Sequence, residues 1–483
     1  MASSGKKTGK RVDYQAVDEG YLEHRKLKRG AAGWVLLAGL GVSYVISGDF
    51  AGWNFGLAEG GWGGLLIATV LMGLMYTCMV FGLAEMSSAL PVAGAGYGFA
   101  RRALGPLGGF ATGMAVLIEY AVAPAAIAVF IGGYVQALGL LGGVSLWVIY
   151  LGAYLIFIGV HLYGVGEALK LMFGITAVAM VALIATVVGL APKFSVDRLL
   201  DIDPDGSTMS SSFLPYGISG VVAALVYGIW FFLAVEGVPL AAEETDDPAR
   251  DMPRGIIGGM LVLLVTAFLI LFIVPGAAGS STIADSDNPL PAAIREALGG
   301  DSLLADFVNY AGLAGLVASF FSIIYAYSRQ LFALSRAGYL PKALSLTSGR
   351  NTPWVALIVP GTIGFLLAAI TEDGALLINI AVFGATVSYV LLNLSHIVLR
   401  RKEPDLERPY RTPGGTATTG VALVLSVIAV IATFFVDEKA AFITALVFAA
   451  ALAYFWFYSR HHLVASAPEE EFAALEESES HLR

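Results

Sequence analysis

The sequence predicts an all-α membrane protein that crosses the bilayer many times. Of its 483 residues, 57% are hydrophobic and only 13% are charged, and the mean hydropathy is +0.76. This composition is typical of a polytopic membrane protein rather than a water-soluble enzyme. Uncharged stretches such as 62–84, 255–284 and 440–458 are long enough for membrane helices. They lack the alternating ten-residue pattern of an outer-membrane barrel.

The hydrophobic stretches, taken in order, predict twelve spans and the domain boundaries. The predicted spans are 31–58, 62–90, 105–137, 144–162, 166–190, 217–241, 252–278, 303–334, 353–371, 374–399, 417–436 and 439–459. The expected units are a cytosolic N-terminal tail (1–30), a first five-span unit (31–190), an extracellular loop (191–216), a second five-span unit (217–399), a cytosolic linker with the last two spans (400–459) and an acidic cytosolic C-terminal tail (460–483).

The distribution of Lys and Arg predicts how these spans are oriented. If the N-terminus is cytoplasmic, the tails, inner loops and inner span ends hold 23 of the 28 Lys and Arg residues. The outer side holds four, and Lys170 remains near the start of the fifth span. Because basic residues concentrate on the cytoplasmic side of membrane proteins, we expect both termini to be cytoplasmic and the protein to lie in the plasma (inner) membrane.

The first and sixth spans are interrupted, and each interruption carries an acid. The first reads Ser47-Gly48-Asp49-Phe50-Ala51-Gly52-Trp53, and the second reads Trp230-Phe231-Phe232-Leu233-Ala234-Val235-Glu236-Gly237. A charged residue at membrane depth costs roughly 2.5–3.5 kcal/mol on insertion scales, and irregular backbone is tolerated there only where it lines protein or a cavity. The pair therefore predicts a transporter's substrate site and a cationic substrate. Because the breaks lie five spans apart, the two five-span units are expected to be inverted repeats.

Several motifs in order along the chain resemble those of the amino acid–polyamine–organocation superfamily. They are Ala84-Glu85-Met86-Ser87-Ser88-Ala89-Leu90-Pro91, Gly94-Ala95-Gly96-Tyr97, Arg101-Arg102-Ala103-Leu104-Gly105-Pro106 and the stretch 328–341. Within the superfamily the chain is most similar to the ethanolamine permeases, through 45–53, 75–78, 119–124 and 230–237. It has Asp49-Phe50-Ala51-Gly52 where that family often has Glu-Tyr-Phe-Gly, so the acid is kept but is shorter.

This resemblance implies a leucine-transporter-like five-plus-five fold in which the first and sixth spans unwind around the substrate. It implies import of ethanolamine or a closely related small amine by alternating access, with a proton as the coupling ion. Lys170 matches a position where proton-coupled members carry a lysine in place of a sodium ion. The alternatives are a lysine that reaches the headgroups, or a sodium site with Ser319 and Ser322.

The candidate substrate residues lie in or beside the breaks, or midway along the third span. They are Ser47, Gly48, Asp49, Trp53, Glu119, Tyr120, Trp230, Phe231, Phe232 and Glu236. Asp49 would repel a free carboxylate and attract an ammonium group, and the aromatic faces suit cation–π contacts. The acids and the aromatic rings also have structural explanations. Asp49 could be the N-cap of the second half-helix, Glu236 could cap exposed amides, and Glu119 could be paired or protonated. The aromatic rings could simply pack against their neighbours.

Other functional classes are weighed against this one. The chain has no phosphate-binding loop, its six histidines show no metal-ligand spacing, and its lone cysteine, Cys78, cannot form an intramolecular disulfide. We therefore expect no enzyme, metal, cofactor or nucleic-acid partner. An amino-acid or diamine permease and an amine-binding membrane sensor remain as alternatives.

Overall fold

The protein is described here by a computed structural model, and nearly all of its regular structure is helical. The structure describes residues 12–15, 17, 21, 33–91, 94–139, 141–300, 302–468 and 470, without the side chains of 165–170 and 243–244. Tyr14 and Leu463 pair in an isolated, parallel β-bridge. The α-helices are α1 (Trp34–Val45), α2 (Ser47–Phe50), α3 (Phe55–Ala89), α4 (Gly96–Ala137), α5 (Leu146–Tyr163), α6 (Val165–Leu190), α7 (Val196–Leu199), α8 (Gly217–Trp230), α9 (Pro248–Ala278), α10 (Ser280–Ile283), α11 (Pro289–Leu298), α12 (Leu303–Arg336), α13 (Trp354–Thr371), α14 (Gly374–Lys402), α15 (Thr416–Val436) and α16 (Glu438–Phe457).

Eleven helical segments of the described chain are long and apolar enough to cross a membrane, and α1 is a further, shorter apolar helix. The predicted all-α polytopic fold is therefore confirmed. With 12 residues, α1 is only about 18 Å long, which is too short for a hydrocarbon core of about 30 Å. The first span is completed by α2 and the irregular turn after it.

The first span breaks where the predicted acid-bearing segment lies. Helix α2 ends when Ala51 turns to an extended conformation, with φ −158° and ψ 158°. Gly52 follows at φ +93°, in the left-handed region that glycine tolerates. The chain then re-enters a helix at Phe55 and bends at Gly61, which has φ +65°. The second span therefore starts before the predicted boundary, because the helix continues through this glycine.

The sixth span breaks directly after α8. Ala234 lies at φ +80°, in the left-handed region, and the chain continues as the 3₁₀ helix Val235–Glu244. Pro239 lies inside this segment and lacks the N–H that a regular α-helix would use there. The two observed breaks lie five spans apart, as the inverted-repeat arrangement requires.

Helix packing brings the two breaks together at the centre of the bundle. Helix α1 packs against α9 and the 3₁₀ helix, while α2 packs against α12. Helix α4 packs along α14 and α12, and α3 packs along α8. The residues of both breaks are buried in one continuous apolar core. Any site formed by the breaks is therefore enclosed by α3, α4, α9, α12 and α14.

Both terminal segments meet at one end of the bundle. The Asp13 N–H donates to the Arg460 carbonyl and the Gln15 N–H to the Leu463 carbonyl, each at 2.7 Å. Glu470 is fully buried and pairs with Arg101 of α4 at 2.8 Å. The N- and C-terminal segments therefore lie on the same side of the membrane.

Candidate functional site

The backbones of the two breaks touch each other. A Cβ atom placed on Gly48 would lie 2.6 Å from the Trp230 carbonyl oxygen, so only glycine permits this approach. The Trp230 indole N–H donates to the Ala51 carbonyl oxygen at 2.9 Å. The structure thus brings together Gly48 and Trp230, which the sequence placed in separate spans.

Asp49 is buried without a hydrogen bond. Its side chain is 1% exposed, and neither carboxylate oxygen has a hydrogen-bond partner. The Thr266 hydroxyl on α9 is close enough to interact with this carboxylate. The alternative of an N-cap is not observed, because the Ala51 N–H donates to the Ser47 carbonyl and the Gly52 N–H donates to Asn54 Oδ1. A buried carboxylate without donors is costly unless a cation joins it.

Glu236, the acid of the second break, has hydrogen-bond donors from two other helices. The Tyr120 hydroxyl of α4 donates to Oε1 at 2.8 Å, and the Tyr389 hydroxyl of α14 donates to Oε2 at 3.1 Å. The hydroxyls of Tyr389 and Tyr76 lie 2.7 Å apart, which extends the network to α3. Neither Tyr76 nor Tyr389 was among the predicted substrate residues, although Tyr76 lies in the segment 75–78 that resembles the ethanolamine permeases.

Glu119 completes this group, which we call the Glu236 cluster: Glu236, Glu119, Tyr120, Tyr389 and Tyr76. Glu119 is fully buried, and neither of its oxygens makes a hydrogen bond of standard geometry. Its carboxyl group lies close enough to the Glu236 carboxylate and the Tyr389 hydroxyl to interact with both. Within the described part of the chain, no cationic side chain contacts either acid. Two ionised carboxylates in such a setting leave a charge that a proton or another cation must balance.

The aromatic residues of the breaks pack mainly against one another. Trp53 stacks on Phe231 with ring centroids 5.7 Å apart, and Trp230 meets the edge of Phe130 at 6.3 Å. Phe232 instead contacts Tyr76 at 5.5 Å and so borders the Glu236 cluster. Among Trp53, Trp230, Phe231 and Phe232, Phe232 is therefore the ring that contacts a member of this cluster.

The predicted serines connect α1 and α2 to α12. The Ser47 and Ser319 hydroxyls are 2.8 Å apart, and those of Ser43 and Ser322 are 2.6 Å apart. Ser47 therefore already has a side-chain partner in this conformation. Lys170 belongs to α6, which packs on α12, but its side chain lies outside the described residues.

All ten predicted substrate residues are buried, so a small molecule can reach them only if the surrounding helices move. Among the described residues, no group of three or more His, Cys, Asp or Glu side chains could hold a metal ion.

The family model described as amino acid permease matches residues 35–465. The chain belongs to this family. It is 30% identical over 403 residues to an uncharacterized transporter of Rhizobium meliloti, covering 82% of this chain and 84% of that protein. It is 28% identical to a branched-chain amino acid permease of Bacillus subtilis, covering 83% and 86%. An aromatic amino acid transport protein of Escherichia coli is 23% identical, with 80% and 85% covered.

Family membership establishes a multi-pass membrane transporter of amino acids or related small substrates, and not an enzyme. It confirms the superfamily expected from the sequence motifs. Two of these relatives are named for amino acids, so the preference for ethanolamine belongs to the proposal that follows.

Proposed function

We propose that this member of the family imports ethanolamine or a closely related small amine by alternating access, and that a proton is the coupling ion. The observation that carries the proposal is the Asp49 carboxylate, which lies in the break of the first span with both oxygens unpaired. An ammonium group would supply the missing positive charge and hydrogen-bond donors. A free carboxylate on the substrate would instead meet a like charge at short range.

The acids have different roles in this proposal. Both oxygens of Glu236 already accept hydrogen bonds from Tyr120 and Tyr389, so we assign Glu236 to positioning. Asp49 and Glu119 have free oxygens and hold the two cations. Asp49 binds the substrate's ammonium group, with Thr266 offering a polar partner for its hydroxyl. Glu119, beside Glu236, takes the coupling proton.

The remaining predicted residues shape the space around the amine. Gly48 lets the two breaks approach, and Ser47 supplies a hydroxyl at the same break. Trp53, Trp230, Phe231 and Phe232 provide apolar surfaces, and a ring face turned toward the ammonium contributes roughly 0.5–2 kcal/mol. Lys170 on α6 is the second candidate for proton coupling. A Lys170→Gln variant that loses stimulation by a proton gradient but keeps passive exchange would favour it over Glu119.

A second candidate function is a neutral amino-acid permease, and the names of the relatives favour it. The Bacillus subtilis and Escherichia coli relatives are named for branched-chain and aromatic amino acids. In that function Asp49 would pair with the substrate's amino group, and backbone N–H groups at the breaks would bind its carboxylate. The two functions differ in whether a carboxylate on the substrate helps or hinders binding.

The test is uptake of labelled ethanolamine into proteoliposomes, with and without an inward proton gradient. We expect gradient-stimulated accumulation that excess unlabelled alanine or leucine does not suppress. Suppression by either amino acid, or no uptake of ethanolamine, would support the amino-acid permease instead. Binding without accumulation inside sealed vesicles would support the sensor.

The matched variants are Asp49→Asn and Asp205→Asn. Loss of a charge-assisted hydrogen bond is worth roughly 1.5–3 kcal/mol, so Asp49→Asn should weaken ethanolamine binding about 10- to 100-fold. Asp205 is an exposed acid of the outer loop, and its replacement should leave uptake unchanged. Wild-type affinity and rate in Asp49→Asn would contradict the assigned role of this acid.

A further inference from the structure

An open groove of about 830 Å³ lies away from the buried breaks, where α1 and α9 begin. The first turns of α9 form one wall and Trp34 at the start of α1 forms another. Pro409 and Tyr410, from the segment between α14 and α15, complete the lining. None of its lining residues belongs to the candidate substrate site. The groove therefore calls for a separate explanation.

The α9 wall changes from basic to apolar along its length. Arg250, Arg254, Ile257 and Leu261 line the groove at spacings of four, three and four residues, which places them on one face of the helix. Eleven residues separate the first from the last, which corresponds to roughly 16 Å along the helix axis. Leu261 is 58% exposed and lies in the apolar part of α9, so this end of the groove faces the hydrocarbon.

In the part of the chain that the structure describes, the arginine side chains at the basic end of the groove have no partner of opposite charge. Arg250 and Arg254 are both exposed, and within the described residues neither has a recorded ion pair or hydrogen bond. Asp247 is the one acidic residue among the groove's lining residues. The N-terminus of α9, where the helix dipole is positive, lies at the same end. The lining thus carries a net positive charge at the end where α9 begins.

We propose that this groove binds one anionic phospholipid. Its phosphate lies between Arg250 and Arg254, and an acyl chain lies along Ile257 and Leu261. Trp34 and Tyr410 flank the headgroup level, as aromatic residues commonly do at membrane interfaces. The groove matches a phospholipid in charge and in length, because both have their charge at one end and an apolar stretch beyond it.

Bound lipid has a consequence for the first span. Trp34 opens α1, the half-helix that leads into the first break, while the arginines belong to α9. A lipid that contacts both helices stabilises the arrangement of α1 against α9 seen here. The proposal concerns binding and does not depend on which substrate is transported.

The experiment measures lipid binding by the purified full-length protein in a nonionic detergent. Phosphatidylglycerol is titrated and followed by native mass spectrometry, with phosphatidylcholine as the zwitterionic comparison. Each arginine near an anionic headgroup is worth about 1 kcal/mol, so Arg250→Gln or Arg254→Gln should weaken phosphatidylglycerol binding roughly fivefold, and both together about 25-fold.

Two further variants make the test specific. Arg401→Gln removes an exposed arginine in the last turn of α14 that does not line the groove, and should leave the affinity unchanged. Asp247→Asn removes the acid from the lining and should tighten binding. The proposal is overturned if the double arginine variant binds phosphatidylglycerol as tightly as wild type. It is also overturned if inorganic phosphate competes as well as the lipid, which would indicate a site for free anions.

Discussion

Asp49, Glu119 and Glu236 are three carboxylates buried in one helical bundle, and their surroundings differ. Glu236 accepts hydrogen bonds from two tyrosines, whereas neither Asp49 nor Glu119 accepts one of standard geometry, although the hydroxyls of Thr266 and Tyr389 lie near them. Burial alone therefore does not define their roles, because an acid with donors can remain charged in place while an acid without them needs a cation. This difference separates a positioning acid from the two acids that we propose to bind cations.

The role of Tyr389 in the Glu236 cluster can be tested by removing only its hydroxyl oxygen. Tyr389→Phe removes the hydroxyl that donates to Glu236 and contacts Tyr76. Since a hydrogen bond to a charged group contributes roughly 1.5–3 kcal/mol, we expect a clear loss of stability in chemical unfolding. We also expect a shifted pH profile of uptake, because the carboxylate pair that we propose as the proton site has lost a donor.

The control for this change is Tyr327→Phe. Tyr327 is equally buried, but its hydroxyl donates to the Leu357 carbonyl, away from the Glu236 cluster. It should lower stability while leaving the pH profile in place. If both variants keep the wild-type profile, Tyr389 has only a structural role.

Ala234 marks the second break by its backbone conformation. It is a non-glycine residue at φ +80°, which costs an L-amino acid roughly 1–2 kcal/mol. Ala234→Gly should relieve this strain, whereas Ala241→Gly, at a buried position in the 3₁₀ helix that follows, loses a methyl group without that relief. We expect Ala234→Gly to be about 1–2 kcal/mol more stable than Ala241→Gly in chemical unfolding. Equal stabilities would mean that the conformation is not strained.

Sequence reasoning could select Asp49 and Glu236 because an acid in a broken hydrophobic stretch is locally visible. It could not select Tyr389 or Tyr76, because a tyrosine in a membrane helix resembles any packing aromatic residue until its partner is known. Nor could it assign the N–H groups near Asp49. The donation of Gly52 to Asn54 depends on a turn whose geometry the sequence does not specify.

At the scale of helices, the predicted breaks agree with the observed ones. The first and last residues of the helices are harder to predict from the sequence. The stretch 31–58 was expected to be one span, but α3 already begins at Phe55 and bends at Gly61. Similarly, α4 begins at Gly96 and bends at Gly105, nine residues later. A glycine marks a possible break in the sequence, but the same residue type also permits a helix to bend and continue, as at Gly61 and Gly105.

The segment after α16 contacts the start of α4, which its acidic composition did not predict. The carboxylate of Glu470 accepts hydrogen bonds from Arg101 Nε at 2.8 Å and from the Tyr339 hydroxyl at 2.9 Å. Burial, together with the nearby charge of Glu470, raises the pKa of Tyr339 well above its usual range, so the phenol stays a donor. The segment after α16 is thereby joined to the start of α4.

Arg101 and Arg102 are neighbours that allow this contact to be measured. The side chains of Arg101 and Glu470 are 3% and 0% exposed, whereas those of Arg102 and its partner Glu403 are 19% and 15% exposed. Removing one partner of a buried pair costs about 3–5 kcal/mol, while an exposed pair contributes about 1 kcal/mol or less. Arg101→Gln should therefore lower stability in chemical unfolding far more than Arg102→Gln.

Glu470→Gln tests the same ion pair by changing the acid instead of the arginine. It should cost about as much as Arg101→Gln, and the double variant should cost less than the sum of the two. Additive losses would show that the two side chains do not interact in solution. Equal, small losses for Arg101→Gln and Arg102→Gln would show that the terminal segment is not held against α4.

At the scale of the whole molecule, the contacts between residues 12–15 and the segment after α16 place these two segments on one side of the membrane. The contacts between Asp13 and Arg460 and between Glu470 and Arg101 require this, but they do not say which side is cytoplasmic. That assignment depends on the Lys and Arg distribution, because basic residues are retained on the cytoplasmic side during insertion. The orientation is therefore a prediction that needs its own measurement.

The chain contains one cysteine, Cys78, which makes labelling from one side straightforward. In a Cys78→Ala background, Ser212→Cys introduces a thiol in the exposed loop before α8, and Gly349→Cys does so at an uncrowded position between α12 and α13. In intact cells, a membrane-impermeant maleimide should label Ser212→Cys and should reach Gly349→Cys only after permeabilisation. The reverse pattern would invert the protein and move the arginines of α9 to the outer leaflet.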